Sequence, residues 1–144
     1  MASAIYAKCE YENVYAVRID KGEEIVEKLK ELCRTENIRF AQVSAIGASE
    51  HAVLGVYDLA KQEYAREAIS CFCEITSLTG NITTVNEAPY IHLHATLADQ
   101  QHQIHGGHVL ELTVGATCEI FIRVIDATVG RIHNDQMGIN LWDI

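Results

Sequence analysis

The sequence predicts an α+β fold: an antiparallel β-sheet with one main helix packed on it, in a single compact domain over residues 1–144. Three observations predict it. Apolar residues recur at helical spacing in only one segment, between Lys21 and Asn37. Most of the remainder reads as short β-rich segments bounded by turn residues. The connections between those segments are too short for parallel crossovers, so the strands are expected to run antiparallel.

The first strand spans Tyr11 to Asp20, with Tyr15, Val17 and Ile19 on one side and Val14, Ala16 and Arg18 on the other. From Lys21 the period changes. Ile25, Leu29, Leu32 and Cys33 fall on one helical stripe, with Asp20 as the expected N-cap and Glu23 and Glu24 in the first turn. Glu27, Lys28, Lys30, Glu31 and Arg34 make the expected solvated face. Strands follow at Ile38 to Gly47, Ala52 to Asp58, Glu67 to Leu78, Tyr90 to Ala98, and Val109 to Ile125 with a break at Gly115. Turns are expected at Gly47-Ala-Ser49, Asp58 to Gln62, Gly80-Asn81 and Asp99 to His102. The sole proline, Pro89, sits just ahead of a strand, where its missing N–H donor does little harm.

Twenty acidic residues against 11 basic ones set a net charge of −9. That balance argues against direct DNA binding by a free-standing domain, which needs a basic face for the phosphates. Five cysteines, an odd number without a CxxC pair, point to a reducing, cytoplasmic setting. Cys71 and Cys73, two apart in an expected strand, lie too far apart along it for relaxed disulfide geometry. No export signal is expected from the first residues, which lack a basic start followed by an apolar run, and no membrane span is expected, since no apolar stretch approaches about 18 residues.

Charge and histidine are distributed unevenly. From Glu67 to Ile122 there is no lysine or arginine, while five of the seven histidines fall between His92 and His108. Within that stretch the only cations available are imidazolium groups or a bound metal. His92 and His94 share one face of an alternating strand whose other face is Ile91, Leu93, Ala95 and Leu97. The turn after Ala98 folds the next strand back as a hairpin, and register decides whether His108 joins the pair. A two-residue turn sets His108 opposite Leu93, on the wrong face. A three-residue turn, Gln100 to His102, sets it opposite His94, and a bulge at Gly106-Gly107 would make the same correction. Three imidazoles so gathered suit zinc, with a fourth position open, although nickel, iron or copper also accept imidazole. The competing reading is a polar strand face that happens to use histidine. His105 and Glu111, of opposite parity to His108, are candidates to support the ligands from outside the coordination sphere. His102, in the turn, is likewise expected at the surface or supporting the ligands from outside, and His51 and His133 receive no role.

Pro89-Tyr-Ile-His-Leu-His-Ala-Thr-Leu-Ala-Asp99, followed by Gly106-Gly-His-Val-Leu-Glu111 and Ala116-Thr-Cys-Glu-Ile120, resembles the plants-and-prokaryotes conserved domain. The resemblance extends to Arg39 to Ala48, Leu54 to Asp58, Glu74 to Gly80 and Arg131 to Trp142, nearly the whole chain. It implies an antiparallel α+β fold, a homotrimer, and a metal held by three histidines that map onto His92, His94 and His108. The turn Asp99-Gln-Gln-His102 departs from the Asp-x-x-Gly common in prokaryotic members. The DNA-binding role ascribed to some members rests on an AT-hook of Arg-Gly-Arg-Pro type, which this sequence lacks. More remotely, the fold is similar to acetolactate decarboxylase, a zinc lyase whose metal sits on a His-x-His pair and a later histidine.

The functional expectation is a trimeric, zinc-binding cytoplasmic protein that recognises a small ligand or a protein partner. One alternative is a zinc-dependent lyase or hydrolase, in which Glu111 as proton carrier would need a bulge or a neighbouring subunit's site. A further alternative is a transcription-associated protein that reaches DNA through partners.

Overall fold

The computed structural model describes residues 4–144. In chain order the elements are β1 (Ile5–Lys8), β2 (Val14–Asp20), α1 (Ile25–Glu36), β3 (Ala41–Asp58), β4 (Glu63–Ile69), β5 (Cys73–Val85), β6 (Ala88–Ala98), β7 (Ile104–Val124), β8 (Gly130–Asn134) and β9 (Ile139–Asp143). All nine strands belong to one sheet. Its centre is a cycle: β7 pairs β3, β3 pairs β5, β5 pairs β6, and β6 pairs back to β7. Leu78, Ile82, Leu93, Leu97, Leu112 and Ile122, all on these strands, are fully buried.

This corrects the expected fold class. The protein is mostly β, with one 12-residue helix beside strands of 18 and 21 residues, so the helix is not the main second layer of the fold. The sheet is also mixed rather than purely antiparallel, because β8 meets β5 in parallel at Thr84 and Gly130. The reason for the difference lies in glycines that read as turns. A Cβ at Gly47 would fall 2.4 Å from the Thr117 carbonyl oxygen, and one at Gly80 would fall 1.8 Å from that of His92. Both residues are required by the close approach of neighbouring strands, not by a reversal. β3 and β5 therefore run through positions where breaks were expected, with register shifts at Ala45/Gly47 and Ile75/Ser77.

The amphipathic stripe of α1 is as expected: Ile25, Leu29, Leu32 and Cys33 are buried, and the helix rests on β6 and β7. Its N-cap is Glu24, whose side chain accepts from the Glu27 N–H, rather than Asp20. The expected solvated Lys28 is buried and paired with Glu23 at 3.1 Å and Glu31 at 3.5 Å. Asn37 closes the helix in the left-handed conformation. All five cysteines are free. Cys71 lies in a bend ahead of β5, not in a strand, and its sulfur is 3.7 Å from that of Cys73. Among the described residues no helix is long and apolar enough to cross a membrane.

Candidate metal centre

The hairpin β6–β7 determines the site. Asp99 N–H donates to the Gln103 carbonyl at 3.0 Å and His102 N–H to the Asp99 carbonyl at 2.9 Å, which leaves a three-residue turn, Gln100 to His102. His102 takes φ +62°, the left-handed position that ends such turns. Asp99 Oδ1 accepts from the N–H groups of Gln101 and Gln103, and its Oδ2 lies 2.9 Å from His105 Nε2. The hydrogen bond with His105 holds the Asp99 carboxyl below the usual carboxylate range, helped by the two backbone N–H groups. With the turn so fixed, His94 pairs His108, the register that the three-residue turn predicts.

Three rings meet as a result. His92, His94 and His108 each offer a ring nitrogen within 4.8 Å of the others. The Nε2 atoms of His92 and His94 are 3.3 Å apart, and the three ring centroids are separated by 5.1, 5.2 and 5.6 Å. His108 is stacked on Tyr64 at 4.7 Å. That stacking depends on Gly55, which pairs His108 across β3 and β7 and whose Cβ would lie 2.7 Å from the Tyr64 ring. Burial pushes the His108 pKa down to about 4, with His92 and His94 adding to the shift. Burial also lowers that of His92, followed by the charges of His94 and Arg131. Converging imidazoles, two of them half-buried, are a donor set that suits a transition metal. His108 Nδ1 is moreover buried without a hydrogen-bond partner among the described residues. Such an orphan costs roughly 1–3 kcal/mol, and a metal bond at this ring nitrogen would remove it.

His105 and Glu111 do not join the rings. His105 turns to Asp99 and, at 3.9 Å, to Glu67. Glu111 is 63% exposed and lies 3.8 Å from His51 Nε2. His102 occupies the turn, and His133 hydrogen-bonds Asn140 on the far wall.

A cavity of about 480 Å³ opens beside the rings, lined in part by Tyr57, Tyr64, Tyr90, Arg131 and Asn140. The sequence singles out none of these as site residues, and Arg131 is the most extensively hydrogen-bonded among them by its side chain. Its Nε donates to Thr83 Oγ1 at 2.9 Å, Nη1 to the Asn140 carbonyl at 3.1 Å and Nη2 to Asn81 Oδ1 at 2.8 Å, and its Cζ sits 4.7 Å from the Tyr90 ring centroid. The cation-free stretch of sequence thus receives a cation in space. No local signal announces this, since Arg131 reaches Tyr90 only through the parallel contact of β8 with β5.

The chain is similar to several known proteins. A candidate DNA-binding protein of Bacteroides thetaiotaomicron is 28% identical, with a TM-score of 0.94 over 99% of this chain and 98% of that one. A metal-containing protein of Archaeoglobus fulgidus is 30% identical, with a TM-score of 0.84 over 99% of both chains. An acetolactate decarboxylase of Bacillus subtilis shares the fold alone, at 14% identity and a TM-score of 0.59 over 84% of this chain and 57% of that one. The bifunctional protein GlmU of a Synechococcus strain is 29% identical over 97 residues, 67% of this chain, which spans only 14% of that relative's length. The model of the Plants and Prokaryotes Conserved (PCC) domain matches residues 6–126, and the chain belongs to that family.

Proposed function

We propose that the protein binds a transition metal, zinc by preference, on His92, His94 and His108, and that it presents the metal to a small ligand in the adjoining cavity. The convergence of three ring nitrogens within 4.8 Å carries this reading, and the metal-containing Archaeoglobus relative supports it. When bound, zinc supplies a Lewis-acid position that three protein ligands leave open. The chain's own residues do the rest. The β6–β7 register holds the ligands on one face, Tyr64 covers His108, and tyrosine rings with Val56 and Ile139 form apolar walls that limit water.

A binding role is favoured over turnover, because none of the residues lining the cavity carries a carboxylate to move a proton. The zinc-dependent lyase or hydrolase would have to use a tyrosine or His133. A net charge of −9 favours small-ligand or partner recognition over direct contact with a DNA backbone. The free cysteines fit a cytoplasmic setting.

The homotrimer belongs to the same proposal. Phe121 and Ile46, 63% and 59% exposed, are diagonal neighbours on the outer face of the β3–β7 pair. Exposed apolar groups of this size are usual at interfaces between copies.

Elemental analysis of protein purified without a histidine tag tests the metal reading. About one equivalent per chain is expected, falling below about 0.1 when His92 and His94 are both replaced by alanine. Metal unchanged by the double substitution, or less than about 0.3 equivalent in the wild type, would remove the proposal.

A further inference from the structure

We propose that the cavity beside the three histidines is a carboxylate pocket anchored by the Arg131 guanidinium. The inference deepens the metal reading by naming the ligand class, and it rests on that reading only for the far end of the ligand.

Arginine carries five N–H donors in a planar fork. Three are used within the protein, by Thr83, Asn140 and Asn81. Each of these contacts also fixes the plane of the guanidinium, and the Tyr90 ring packs against it. Thr83 is itself fully buried, and Asn81 Oδ1 is steadied by a second donor, Trp142 Nε1 at 3.3 Å. One N–H on Nη1 and one on Nη2 remain without a partner among the described residues, two donors on one guanidinium that a carboxylate can accept from.

Charge points the same way. The chain is strongly acidic, yet this cavity is lined by one arginine, four histidines and no acid. Asp135, 98% exposed, lies 3.7 Å from His133, and among the described residues Arg131 makes its side-chain hydrogen bonds to neutral groups. A guanidinium fixed in a partly apolar cavity without a counter-charge is costly, and an anion entering from solvent relieves that cost. The proximity of Arg131 to the metal site is read from β6. Tyr90, under the guanidinium, and His92 lie two residues apart on one strand face, about 6.6–6.8 Å. A compact carboxylate with a second oxygen a few bonds away would span that distance, its carboxylate on Arg131 and its other oxygen towards the histidines.

Calorimetric titration at low salt tests this with levulinate, a five-carbon keto acid, its neutral amide levulinamide, and inorganic phosphate. Wild-type protein is expected to bind levulinate at least about tenfold more tightly than levulinamide. Arg131→Gln should abolish that preference while keeping its metal, and Arg131→Lys should retain part of it, since lysine keeps the charge but loses the fork. If Arg131→Gln does not fold, the acid-against-amide comparison in the wild type and the Arg131→Lys protein decide. Equal affinity for acid and amide, no levulinate binding at about 10 mM, or a preference that survives Arg131→Gln would overturn the proposal. Phosphate bound more tightly than levulinate would overturn the carboxylate assignment. In protein with His92 and His94 both replaced by alanine, the preference should persist at weaker overall affinity. Failure of the metal reading therefore leaves the anchor standing, and failure of the anchor leaves the metal.

Discussion

Burial against Tyr64 holds the His108 ring neutral through most of the acid range, with its pKa near 4 against an ordinary value of 6.5. In metal-free protein the unfolded chain therefore binds one more proton than the folded one between those two values. The stability this residue supports is present above pH 6.5 and is lost as pH falls through 4, by up to about 3 kcal/mol. Urea melts of metal-free wild type should lose stability over that window, and a His108→Gln protein should lose less. Gly55 acts on the same ring from behind. Gly55→Ala would drive Tyr64 off His108, which should cost roughly 1–3 kcal/mol in a thermal or urea melt. Competition with a chelator should show weaker metal binding in the same variant. At this scale the sequence is informative where strand parity decides: His92 and His94 must share a face, whatever the fold. It is silent on Arg131 and Tyr64, which reach the site from other strands across contacts that no local pattern encodes.

The β6–β7 hairpin translates a turn length into the convergence of three imidazoles. Its three-residue turn places His102 at φ +62°, where a side chain bearing Cβ is strained and glycine is not. His102→Gly should thus stabilise the protein, by roughly 0.5–1 kcal/mol in a thermal or urea melt, without changing its metal content. Deleting Gln101 should do the opposite to the site. A two-residue turn sets His108 opposite Leu93, and the deletion should empty the protein of metal; a variant that keeps both its metal and its melting temperature would refute the role given to register. The turn length was one of two devices that the sequence allowed for bringing the rings together, and the Asp99–His105 clamp is what selects it. The helical stripe on α1 was equally legible, because one apolar period dominates it. The extent of β3 and β5 was not. Gly47 and Gly80 resemble turn residues, and only the proximity of the neighbouring strand reveals that a Cβ would not fit.

The net negative charge of the chain is not shared by the cavity. The surface is acidic, while the cavity collects Arg131 and the three converging histidines. That separation predicts little affinity for duplex DNA and no steep salt dependence of whatever binding remains, measurable by fluorescence anisotropy at two ionic strengths. Light scattering should return a mass about three times the 16.0 kDa of one chain, and Phe121→Glu should reduce it to the mass of a single chain by placing a charge on the outer face of β7. X-ray absorption at the zinc edge, on untagged protein as purified, addresses the metal site itself. Three imidazole nitrogens at about 2.0–2.1 Å with one lighter oxygen neighbour are expected, and the signal should vanish with His92 and His94 replaced. A shell of sulfur at about 2.3 Å, or an edge signal that persists in that variant, would contradict a metal held by His92, His94 and His108.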